Sequence, residues 1–130
     1  FSASLPPAIA AAVLAGLDVI KNEPELLTEL KANIVYTKNA LNQLGININS
    51  QTGIIPLKVP VGMNIRKASY EFDEHGIFLN SIEYPAVPIS QQRFRISLMA
   101  THTKQDIDKL ISVVERVWKK YSDPGRLEAA

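Results

Sequence analysis

Two arginines set two residues apart carry the clearest chemical possibility in this sequence. They lie in the stretch Arg93-Phe94-Arg95-Ile96-Ser97-Leu98-Met99-Ala100-Thr101-His102-Thr103. Its alternation is that of a β-strand, with Phe94, Ile96 and Leu98 on one face and Arg93, Arg95, Ser97 and Met99 on the other. Side chains two residues apart on a strand stand about 7 Å apart. A guanidinium held on so rigid a support can grip a carboxylate or a phosphate through two parallel hydrogen bonds. The same residues would also serve to solvate the open face of an antiparallel sheet. The pattern alone leaves both readings open.

Other reactive side chains offer less. His75 precedes Gly76 at a predicted helix end, where a donor or positive group is favoured. His102 stands between two threonines at a strand-to-helix junction, and its ring is expected to bond local backbone. Glu23, Glu25, Glu29, Asp106 and Asp108 fall on helix faces; Glu71, Asp73 and Glu74 cluster near a helix end and are expected to be solvated. There is no Gly-rich phosphate loop, paired-histidine metal motif or nucleophile elbow.

Composition narrows the classes. A chain of 130 residues suits one domain around one core, and 46% hydrophobic content is ordinary for a globular protein. A net charge of +1, with no basic run, gives no electrostatic reason to expect nucleic acid or an anionic membrane as partner. Cysteine is absent, which excludes disulfides and thiolate chemistry and fits a cytoplasmic protein. The longest apolar run is too short to span a bilayer.

The elements that must position the arginines follow from hydrophobic periodicity. A helix is predicted over 7–21, opened by Pro7. It is apolar nearly all round and is therefore expected to be buried on most sides, by a further element or a second subunit. A second helix over 25–44 carries the stripe Leu26, Leu27, Leu30, Ile34, Leu41 and Leu44, and ends at Gly45. A strand over 54–59 contains Pro56, which belongs on an edge or a bulge. A third helix over 63–75 is closed by Gly76, and a short strand follows over 77–80. The segment Tyr84-Pro85-Ala86-Val87-Pro88 is expected to be extended and stiff, either framing a site or merely connecting. Thr103, with Asp106 three residues on, is expected to cap a last helix that Asp123-Pro124-Gly125 ends. The fold class is α+β in two layers, a small antiparallel or mixed sheet with helices packed on one face. Residues 1–21 read as a linking helix, 22–125 as the sandwich and 126–130 as a tail. The opening Phe1-Ser2-Ala3-Ser4-Leu5-Pro6-Pro7, with no initiator methionine, is expected of a piece of a longer protein.

Three segments resemble the C-terminal domain of the α-oxoamine synthases, pyridoxal-phosphate enzymes of the fold type I aminotransferase superfamily. They are Phe1 to Ala8, Gly76-Ile77-Phe78-Leu79-Asn80 leading to Tyr84-Pro85-Ala86-Val87-Pro88, and the arginine strand itself. The similarity covers nearly the whole chain. It implies an acyltransferase that condenses an amino acid with an acyl-CoA, releases carbon dioxide and CoA, and leaves an aminoketone. The family members that resemble the chain are 8-amino-7-oxononanoate synthase, 2-amino-3-ketobutyrate CoA ligase and serine palmitoyltransferase. By the same resemblance, Arg95 takes the substrate carboxylate, Arg93 is structural, and Tyr84, Pro85, Ala86, Val87 and Pro88 line the acyl-CoA side. Ser2 and Ala3 would reach the cofactor phosphate of the neighbouring subunit in a homodimer, and Ala3 departs from the Thr or Asn common there. None of the nine lysines stands in the family's Schiff-base motif, so the chain alone is expected to be inactive. An ordinary aminotransferase domain, with the same arginine role and no acyl-CoA, and a non-catalytic interaction module are the competing expectations.

Overall fold

The computed structural model describes residues 4–121. Four helices and three strands follow one another as α1 (Pro7–Asn22), α2 (Pro24–Gln43), β1 (Ile54–Lys58), α3 (Ile65–Glu74), β2 (Asn80–Ile82), β3 (Arg93–Ser97) and α4 (Lys104–Tyr121), with a 3-10 turn at Ile89–Gln91. The sheet is antiparallel with β3 in the centre, in the order β1-β3-β2.

Alternation along β3 decides which face the helices cover. Phe94 and Ile96 are buried together with Ile55 and Leu57 of β1. They join Leu41 of α2, Phe72 of α3, and Val114 and Val117 of α4 in one core. Phe94 meets Phe72 edge-on at 5.2 Å between ring centroids, a favoured aromatic geometry, and Trp118 packs at 6.5 Å. Helices therefore lie on one face, and Arg95 stands on the other.

Two helices end by the same device. Gly45 and Gly76 adopt φ of 79° and 68°, the left-handed region that costs glycine nothing. Each is followed by an isoleucine whose N–H bonds back to the last turn, Ile46 to the Leu41 carbonyl and Ile77 to the Phe72 carbonyl. Both isoleucines then pack on the core. At the other end of α3, the Asn64 side chain accepts the N–H groups of Arg66 and Lys67. Thr103 and Asp106 bond reciprocally across the first turn of α4, the capping arrangement their spacing predicts.

Helix α1 has no buried residue; Ile9, Val13, Leu14, Leu17 and Ile20 are exposed, because no other element among the described residues covers them, which leaves this apolar surface for the further element or second subunit its sequence calls for. The structure departs from the sequence reading in three places. The short strand is Asn80–Ile82 rather than 77–80, since only from Asn80 onward does the chain come into register with β3. Residues 84–88 are not extended: the Ala86 and Val87 N–H groups both donate to the Glu83 carbonyl and fold the segment into a turn. Glu71 is not solvated but buried, between Lys120 and Arg116 of α4.

Candidate functional site

Backbone register explains how Arg95 is held. The Leu98 N–H donates to the Gly53 carbonyl, and the Val59 N–H to the Gln92 carbonyl. Even-numbered residues of β3 thus turn their backbone groups toward β1, and odd-numbered ones toward β2. Pro56 lies directly opposite Arg95 in β1. There its missing N–H is not called upon, which is why a proline is tolerated in this edge strand. On the other side Arg95 faces Asn80 as a hydrogen-bonded pair, with Cα atoms about 5.5 Å apart in such pairs.

The β2 ladder stops at Asn80, while β3 goes on pairing with β1 as far as Ser97. Beyond Asn80 the chain from Gly76 to Leu79 splays away from β3. A groove of about 530 Å³ opens between them, with Asn80, Arg95, Phe78, Leu98, His102 and Leu110 among its walls. A second, smaller hollow is shared by Asn80 and Arg95 with Ser69 and Asp73. Arg95 is exposed and takes part in none of the four ion pairs among the described residues. Lys58 and Arg93 are opposite one another on the same open face, also outside those pairs. The strands bring Lys58, Arg93 and Arg95 but no carboxylate to this face, a donor set that suits an anion, while Asp73 of α3 and Asp106 of α4 border the two hollows.

The turn after β3 is fastened from behind. The Asn33 side-chain amide donates to the Met99 and His102 carbonyls at 3.1 and 2.9 Å. His102 accepts the Met99 N–H on Nδ1 at 3.1 Å, as the sequence reading expects of a ring that bonds local backbone. That bond leaves Nε2 to carry the ring proton in the neutral form.

The remaining candidate residues fall elsewhere. Tyr84, Pro85, Ala86, Val87 and Pro88 lie beyond the other end of β2 and do not line the groove that Arg95 borders. Their turn is anchored by Glu83, whose carboxylate accepts a hydrogen bond from Arg66 Nε at 3.1 Å. Tyr84 is exposed, and the Tyr84–Pro85 bond is cis. Ser2 and Ala3 lie outside the described residues. Asn80 and Asn33 were not singled out by the sequence: each signals itself only through a pairing across the fold.

A three-stranded antiparallel sheet with helices on one face and an open arginine on its central strand defines the class of domain. Its fold matches that of a Sphingomonas wittichii serine palmitoyltransferase at a TM-score of 0.74 and 21% identity, over 94% of this chain and 31% of that one. It also matches the crystal structure of 8-amino-7-oxononanoate synthase from Francisella tularensis at 0.76 and 21%, over 95% and 36%. The family profile for aminotransferase class I and II covers residues 1–114, and the chain belongs to that family. Among its relatives, a serine palmitoyltransferase of Bacteriovorax stolpii is 34% identical over 98% of this chain and 30% of that protein. An 8-amino-7-oxononanoate synthase of Geotalea daltonii is 36% identical over 96% and 33%. The chain thus spans about a third of the length of the relatives it matches.

Proposed function

We propose that this chain is the C-terminal small domain of a pyridoxal-phosphate-dependent α-oxoamine synthase. The enzyme would condense an amino acid with an acyl-CoA, release carbon dioxide and CoA, and leave an aminoketone. The reading nearest the relatives is an 8-amino-7-oxononanoate synthase, with serine palmitoyltransferase or 2-amino-3-ketobutyrate CoA ligase as its neighbours in the same chemistry. The observation that carries it is Arg95: a guanidinium in no ion pair among the described residues, held on the central strand beside a groove.

The chain's part is positioning. Arg95 binds the amino-acid carboxylate in a two-pronged grip and fixes the orientation of the α-carbon, which is a large source of rate in bimolecular chemistry. The guanidinium of Arg95 favours the ionised form of that carboxylate. Residues 84–88, tied to α3 through Glu83 and Arg66, form the side toward the acyl-CoA. The donor set fits an anionic ligand at the sheet face, and the chain offers no lysine in the family's Schiff-base motif. The cofactor, held mainly by a larger domain, would supply the electron sink that makes the α-carbon nucleophilic. Ser2 and Ala3 would approach its phosphate from the neighbouring subunit of a homodimer. The bare apolar surface of α1 supports such an assembly. Among the described residues no helix is long and apolar enough to cross a membrane. A cytoplasmic enzyme accords with this and with the lack of cysteine.

The test is release of free CoA by the full-length protein given L-alanine or L-serine with a series of acyl-CoAs. Thiol should appear only when both substrates are present. Transfer of the amino group to a 2-oxo acid, with acyl-CoA untouched, would replace this reading by that of an ordinary aminotransferase.

A further inference from the structure

Asn80 stands beside Arg95 in a way that a purely structural asparagine need not. The two are directly paired across β2 and β3, so their side chains leave the sheet on the same face, and both border both hollows. Asn80 is only half-buried, and its side-chain amide makes no hydrogen bond among the described residues. Directly opposed side chains on one face of an antiparallel pair lie about 5 Å apart at Cβ. That separation lets two donors converge on one small anion. A carboxylate has about four acceptor sites, and a bidentate guanidinium leaves some of them free.

We propose that Asn80 is a second contact for the substrate carboxylate, its side-chain NH2 donating to the group that Arg95 grips. This rests on the reading of Arg95 given above. The pair then discriminates for ligands that carry a carboxylate. The amide adds a donor without a second charge, so the bound anion keeps a single counter-ion while its geometry is fixed from two sides.

The test uses the full-length protein with L-serine or L-alanine as varied substrate, comparing Asn80→Ala, Asn80→Asp and Arg95→Lys. Loss of one hydrogen bond to a charged group should raise the amino-acid KM about tenfold in Asn80→Ala. Asn80→Asp should be worse than Asn80→Ala, because it sets a like charge against the carboxylate. The acyl-CoA KM should not move in either. Inhibition by ethanolamine or ethylamine, the same molecules without the carboxylate, should be unaffected by Asn80→Asp. If Arg95→Lys raises the amino-acid KM but the Asn80 variants do not, the inference about Asn80 fails while the role of Arg95 stands. Should Arg95→Lys leave the amino-acid KM unchanged, both fall. Were Asn80→Asp no worse than Asn80→Ala, with both KM values rising together, Asn80 would be a structural residue of β2.

Discussion

Glu71 shows how far a single side chain can depart from its sequence pattern. Its side chain is 6% exposed, Lys120 Nζ lies 2.7 Å from Oε2, and Arg116 Nε lies 3.5 Å from Oε1, which has no hydrogen bond of its own. Burial pushes the carboxyl upward, but the hydrogen bond and charge of Lys120, the nearby Tyr121 hydroxyl and the charge of Arg116 together outweigh it. The group is held below its usual 4.5. A depressed carboxyl contributes stability that is present above its unfolded value and lost as pH falls through the folded one. Chemical denaturation as a function of pH should therefore show a decline below about pH 4.5 that is smaller in Glu71→Gln. At neutral pH that variant should be less stable by about 2 kcal/mol, less than for a fully desolvated pair because both cations are more than half exposed. Identical acid profiles for the two proteins would show that Glu71 carries no such linkage. Sequence alone could not find this, since Glu71 and its partners on α4 are 45 or more positions apart.

At the scale of elements, local rules served well where the signal was local. The caps at Gly45, Gly76 and Thr103 are read from a few adjacent residues, and all three form as expected. The alternation in β3 likewise names the buried Phe94 and Ile96 correctly. Asn64 gives a comparable local signal, set in a turn sequence before α3. Asn64→Ala should lower stability by about 1 kcal/mol in a urea titration, the usual cost of losing an N-cap. An unchanged midpoint would mean that the two N–H groups are satisfied equally well by water. Register is where local rules ran out. Residues 77–79 have a strand's composition, yet they peel away from β3, and that departure opens the groove beside Arg95. The folding of residues 84–88 was equally illegible, because two prolines suggest extension while the Glu83 carbonyl, collecting two N–H groups, turns the chain.

For the whole molecule, the layer architecture was legible because each helix but one has an apolar stripe that only a sheet face can cover. Helix α1 is the exception, and it is informative. Its apolar residues are not part of the core of this chain; Leu14, for example, is 64% exposed. The sequence marks this apolar surface and expects its cover from a further element or a second subunit; no element among the described residues supplies it. The site has the same character. Arg95 is placed and oriented by this fold, whereas the chemistry proposed for it needs groups that the chain does not carry. The grip of Arg95 on the amino-acid carboxylate is tested most directly by CoA release from the full-length protein at varied amino-acid concentration, wild type against Arg95→Ala. Loss of a bidentate charged contact should lower kcat/KM for the amino acid about a hundredfold. The acyl-CoA KM should be unchanged, and stability should stay within about 0.5 kcal/mol because the residue is exposed. A variant that turns over as wild type does at every amino-acid concentration would show that Arg95 does not bind the carboxylate.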